Sequence, residues 1–206
     1  IRGHAAILTL NRPDKYNALS DELLRAIGDK VQELDANDSV RGIVLTGSDK
    51  FFSTGADLGS ALKAQDLPST HAMLAHFDHC TRAIEKSRKP VVAAINGFCL
   101  TGGLEVALAC DIRLVKDGAS HLGLPEVNLG INPGAGGSQR LPRLTGVEEA
   151  LSMLLTAKQI KADEALAMGL VDAVSDPDQL MDLALETLKS GSEPVRTGGR
   201  TDKIED

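Results

Sequence analysis

The chain has 206 residues, 42% of them hydrophobic and 25% charged, with a formal net charge of −7. That length and apolar content fit one globular domain with a core of its own. The acidic balance repels polyanions, aromatics at 2% disfavour a base-stacking surface for nucleic acid, and no apolar run approaches the ~20 residues that span a bilayer.

In chain order, residues 6–10 (Ala-Ile-Leu-Thr-Leu) read as a strand. Asn11-Arg12-Pro13-Asp14 then reads as a turn. Ser20 is placed to cap a helix whose first turn carries Asp21 and Glu22. Leu23, Leu24, Ile27, Val31 and Leu34 form its apolar stripe. Residues 42–46 are a continuous apolar run, as expected of a strand covered on both faces. Residues 91–95, just after Pro90, are another, and residues 112–115 a third. Helical patterns fill residues 70–86, 102–109, 147–155, 163–168 and 177–189. Strands alternating with helices predict an α/β layered fold. The division read from the sequence is a core over residues 1–190 and a polar tail or linker over 191–206, with Glu193-Pro194-Val195-Arg196 as a linker-like stretch. No sequence repeat is visible. The three cysteines, Cys80, Cys99 and Cys110, include no CxxC pair and read as reduced, buried thiols. The expected setting is intracellular, the cytoplasm first, with mitochondrion or peroxisome as alternatives.

Four segments combine small residues with strand–helix junctions. Phe51-Phe52-Ser53-Thr54-Gly55-Ala56-Asp57-Leu58 lets a ligand approach the backbone closely. Asn96-Gly97-Phe98-Cys99-Leu100-Thr101-Gly102-Gly103-Leu104-Glu105 ends a strand and opens a helix, aiming free N–H groups and a positive dipole end at one spot. Gly123-Leu124-Pro125-Glu126 carries a second acidic residue. Gly130-Ile131-Asn132-Pro133-Gly134-Ala135-Gly136-Gly137 is a glycine-dense loop before a further helix. None is a phosphate loop: GxxxxGK[ST] is missing, and Thr101-Gly102-Gly103 lacks GxGxxG spacing. Each alone reads more readily as turn geometry, or as an acidic residue complementing a helix dipole, than as a catalytic site.

In the order NRPxxxNAL, GAD, NGxxxxGGxE, ACD, PE and PGAGGxQRL, these segments resemble the enoyl-CoA hydratase/isomerase (crotonase) family. The motifs lie at residues 11–19, Gly55-Ala56-Asp57, 96–105, Ala109-Cys110-Asp111, Pro125-Glu126 and 133–141. The resemblance implies a spiral of ββα units that binds acyl-CoA thioesters and needs no cofactor, coenzyme A being part of the substrate. By position it implies an oxyanion hole from the N–H groups of Ala56 and Gly102, a catalytic pair in Glu105 and Glu126, and a water-positioning N–H at Gly134. Substrate contacts are implied at Thr54, Asp57, Leu58 and Gly59, with Asp57 tying down its own loop. The expected reaction is hydration of the 2,3 double bond. Δ3,Δ2-enoyl-CoA isomerisation and a non-catalytic acyl-CoA-binding or scaffold module are the alternatives. A homo-oligomer, trimer or hexamer, is implied by the same likeness.

The chain departs from the family pattern in three places. Thr101 stands where many members carry a third glycine. Gly59 stands where some carry a lysine. The usual C-terminal helical region reads as short or missing. Arg12 and Lys15 read either as contacts to CoA phosphates or as solvated turn charges. Several residues are set aside. His71, His76, His79 and Cys80 lie on an ordinary amphipathic helix, and no metal is expected. Cys99 and Cys110 read as packing residues. Ser53 and Ser138 lack a paired His. Asp111 reads as a helix end or turn cap, and Arg140 as the partner of a carboxylate or helix terminus.

Overall fold

The computed structural model describes residues 1–48, 50–62, 65–118, 121–191 and 196–204; residues 193–195 of the linker-like stretch lie outside them. The strands are β1 Ala5–Thr9, β2 Gly42–Thr46, β3 Phe51–Ser53, β4 Val91–Ile95, β5 Phe98–Leu100, β6 Ile112–Lys116, β7 Leu122–Gly123 and β8 Ala173–Ser175. The helices are α1 Asp21–Asp35, α2 Leu58–Ala61, α3 Leu67–Lys86, α4 Gly102–Ala109, α5 Gly137–Thr145, α6 Val147–Thr156, α7 Ala162–Ala167 and α8 Leu180–Lys189.

The strands form two sheets, ordered β1-β2-β4-β6-β8 and β3-β5-β7. Every pairing within them is parallel. From β2 onward consecutive strands alternate between the sheets: β2, β4, β6 and β8 go to the larger, β3, β5 and β7 to the smaller. After β3, β5 and β7 the chain turns helical. This is the spiral of ββα units, a repeat of structure without a repeat of sequence.

Full burial of β2 and β4 follows from helices on both faces. Ile43, Leu45, Val91, Ala93 and Ile95 join the main core with Leu24, Ile27 and Val31 of α1 and Ile84 of α3. The alternate residues Val44, Val92 and Ala94 face Leu180 and Ala184 of α8. A two-residue period thus feeds two separate apolar layers. Among the described residues no helix is long and apolar enough to cross a membrane.

The sequence misplaces some edges. α3 begins at Leu67, not residue 70, because Asp66 and Ser69 cap each other in a capping box. α8 begins at Leu180 rather than residue 177. Strands β3, β5 and β8 have three residues each and β7 two, too few to show a period. The described part of the polar 191–206 segment is fastened to the body. Thr197 is buried, Arg196 pairs with Asp111 at 2.5 Å, and the Lys203 ammonium donates to the carbonyls of Leu144 (2.6 Å) and Met168 (3.1 Å).

Candidate active site

The smaller sheet positions the site, because β3, β5 and β7 end side by side and each hands its chain to one segment singled out above. The NRPxxxNAL turn underpins the first. Asn17, fully buried with φ +55°, donates its amide to the Phe51 carbonyl at 2.8 Å and accepts the Ser53 hydroxyl on its own carbonyl at 2.9 Å. Leu19 then docks on the loop after β3. Its N–H donates to the Gly55 carbonyl (2.7 Å), and its carbonyl accepts Asp57 N–H (3.0 Å). In a trans peptide the N–H points opposite its carbonyl. With Gly55 O turned toward Leu19, the Ala56 N–H faces the other way, and it has no acceptor among the described residues.

The second segment faces the first. Gly102 is the first residue of α4, so its N–H is one of the orphan donors of a helix start. A Cβ on Gly102 would lie 3.6 Å from Ala56 N, and one on Gly55 only 3.1 Å from Gly102 N. The two free N–H groups therefore sit beside each other, near the positive end of α4. Phe77 of α3 closes this spot from outside: its ring would come within 2.7 Å of a Cβ on Gly102. Thr101, just before α4, has φ +49° and ψ −133°. This is backbone that suits glycine and strains a β-branched residue.

One helical turn beyond Gly102, Glu105 is the only charged residue of α4, whose eight residues are all buried. Its Oε1 accepts the N–H groups of Ala135 and Gly137, each at 2.8 Å. Burial pushes its pKa up, and these two amides and Arg140 oppose that. Glu126 lies in the 3₁₀ turn Pro125–Leu129 after β7 and is also buried. Its Oε2 has no hydrogen-bond partner among the described residues. Burial pushes Glu126 up to about 7; its own backbone N–H opposes the shift, and the charge of Glu105 adds to it. Two carboxyls thus share one buried place, and only Glu105 is held by donors from another segment.

Gly134, Ala135 and Arg140 line a cleft of about 320 Å³ against Leu74, Ala75 and Asp78 of α3. A Cβ on Gly134 would lie 3.2 Å from the Leu74 side chain. Arg140 pairs with Glu85 at 2.8 Å and donates to the Ala135 carbonyl at 2.7 Å, bracing the loop whose N–H groups hold Glu105. Asp57 caps α2 through Gly59 N–H at 2.8 Å and pairs with Arg12 at 3.1 Å. Burial would raise its pKa, but the Arg12 guanidinium and the Gly59 N–H hold the carboxyl below its usual value. Arg12 is thus engaged with Asp57 and with the Ala18 carbonyl. Thr54 donates its hydroxyl to the Tyr16 carbonyl at 3.3 Å. Leu58, with Gly59 at the start of α2, is exposed.

Residues set aside earlier have other occupations. His79 pairs with Asp29 at 2.8 Å, and no three metal-ligating side chains converge among the described residues. The three cysteines are buried, and burial pushes Cys80 up to about 12. Asp111 accepts the Val91 N–H at 2.8 Å. Sequence reasoning missed the amides of Ala135 and Gly137 and the Phe77 wall. Backbone N–H groups leave no trace in residue type, and Phe77 reads as ordinary core.

The enoyl-CoA hydratase/isomerase family model matches residues 2–196. A short-chain-enoyl-CoA hydratase of Clostridium acetobutylicum is 42% identical over 185 residues, covering 89% of this chain and 70% of the relative. A crotonyl-CoA hydratase of Syntrophomonas wolfei is 43% identical, covering 85% of this chain and 67% of the relative. The crystal structure of an enoyl-CoA hydratase from Bacillus anthracis superposes with a TM-score of 0.86 at 36% identity, covering 91% of this chain and 72% of that one. With this match across nearly all of its length, the chain belongs to the enoyl-CoA hydratase/isomerase family.

Proposed function

We propose that the protein adds water across the 2,3 double bond of a short-chain enoyl-CoA thioester. The observation that carries this reading is the pair of buried carboxyls, Glu105 anchored by two amides and Glu126 with a bare oxygen, with Glu105 one helical turn from the unpaired N–H of Gly102. Relatives named as hydratases of short-chain and crotonyl thioesters support it.

In this reading the thioester oxygen accepts from Ala56 and Gly102. Glu105, kept ionised by its two donors, takes a proton from a water positioned by the Gly134 N–H. The water oxygen bonds to C3, the double-bond electrons move toward the thioester, and the two N–H groups hold the enolate oxygen. Glu126, protonated because it is buried beside a negative charge, delivers its proton to C2. Transfer of a proton from Glu105 to Glu126 restores the starting state. Thr54, Asp57, Leu58 and Gly59 run along the coenzyme A moiety, and no cofactor beyond it takes part. Exposed Val147, Leu151 and Leu155 on α6, with Leu129 and Ile131 nearby, support a homo-oligomer, trimer or hexamer. The setting we assign is the cytoplasm.

Purified protein is expected to bleach the absorbance of the conjugated thioester in crotonyl-CoA and to release a 3-hydroxyacyl-CoA, identified by mass spectrometry. Glu126→Gln should lower kcat by about 10²–10³-fold. Wild-type turnover in that variant would reject the role given to Glu126.

A further inference from the structure

We infer that Thr101 is a positioning residue that sets the gap between the two oxyanion donors, an inference that rests on the reading just given. The donors belong to different segments: Ala56 follows β3, and Gly102 opens α4 after β5. One side-chain bond joins the two segments at their tips. The Thr101 hydroxyl donates to the Thr54 carbonyl at 3.1 Å, linking the residue before Gly102 to the residue two before Ala56.

Three further observations show that the fold is arranged around this bond. Thr101 keeps φ +49°, a conformation that favours glycine, so the side chain holds its place against the backbone preference. Its own N–H donates to the Gly123 carbonyl at 2.9 Å, tying the turn to β7 and so to the strand that leads to Glu126. A Cβ on Gly55 would fall 1.3 Å from Thr101 Oγ1. The hydroxyl fills the space that the absent Gly55 side chain leaves, so a side chain at position 55 is excluded while Thr101 is present. Because two N–H groups stabilise an enolate only when both point at one oxygen, a hydroxyl that fixes their separation acts on the transition state more than on ground-state binding.

Thr101→Ala and Thr101→Ser differ from each other by one hydroxyl. Each is compared with wild type in hydration of crotonyl-CoA and in ionisation of bound acetoacetyl-CoA, a 3-oxo thioester whose enolate is seen by its absorbance. Thr101→Ala should lose about tenfold or more in kcat with KM within about twofold. It should also ionise bound acetoacetyl-CoA only at higher pH. Thr101→Ser should match wild type within about threefold in kcat and ionise the ligand as wild type does. If Thr101→Ala does not fold, Thr101→Gly, which suits φ +49° and lacks the hydroxyl, carries the same expectation. Equal kcat and equal ligand ionisation in the Ala and Ser variants would overturn the inference. So would a loss confined to KM or to melting temperature. If wild type ionises acetoacetyl-CoA but hydrates nothing, the hydratase reading fails while the Ser–Ala comparison of ionisation still decides the role of Thr101. If wild type binds neither thioester, both fall.

Discussion

Glu126 combines burial, a charged neighbour and an oxygen without a partner, so its proton is coupled to the fold as well as to the chemistry. Its pKa rises from an ordinary 4.5 to about 7, so folding favours the protonated form. Between those values the native state binds more protons than the unfolded chain. Its contribution to stability is therefore full below about 4.5 and is lost as pH rises through about 7. Glu126→Gln keeps the shape and cannot ionise. It should melt roughly 5 °C above wild type at pH 8 and level with it at pH 4, by calorimetry. A constant difference across that range would contradict the shift. In kinetics, kcat/KM of wild type should fall as pH rises through about 7, because the acid that protonates C2 is then spent. The apparent value belongs to the Glu105–Glu126 pair rather than to one residue.

At the level of elements, α4 is seated on the smaller sheet through glycine. A Cβ on Gly103 would come within 2.7 Å of the Ser53 carbonyl and Cβ, and rigid backbone cannot yield. Gly103→Ala should push α4 off β3, cut kcat by about tenfold or more and lower stability by about 2 kcal/mol. Gly130→Ala, where φ is +69° but the space is open, should cost only about 1 kcal/mol and leave kcat near wild type. Melting and turnover of the two variants separate crowding from backbone conformation. The same elements show what the sequence discloses. The strands at 42–46 and 91–95 are legible to the residue, because full burial writes a nearly unbroken apolar run, and so is the helix at 102–109, where small and apolar residues surround the single charge of Glu105. Strands β3, β5 and β7 are not, because two or three residues carry no period, and these strands deliver all four groups of the site. The acidic residues and the glycines were visible through motif order. The amides of Ala135 and Gly137 that hold Glu105, and the left-handed turn at Thr101, depend on contacts between segments about 30 to 47 residues apart.

Across the whole molecule, two sheets joined in a spiral bring residues 56, 102, 105 and 126 to one end of the smaller sheet. The described part of the C-terminal segment, residues 196–204, packs back on this body. Arg196 pairs with Asp111, which is 1% exposed, and Asp111 also holds the start of β4 through Val91 N–H. Arg196→Ala would take from a buried carboxylate the cation that hydrogen-bonds it and should lower the melting temperature by roughly 5 °C or more, with kcat unchanged. An unaltered melting temperature would show the segment to be an ornament on the surface. The convergence of two amides and two carboxyls on one thioester is tested most directly by a crystal structure with acetoacetyl-CoA bound. The expected result is a thioester oxygen within hydrogen-bond reach of both Ala56 N and Gly102 N, with the acyl carbons between Glu105 and Glu126. A thioester bound elsewhere, or with its oxygen turned away from both amides, would contradict the account.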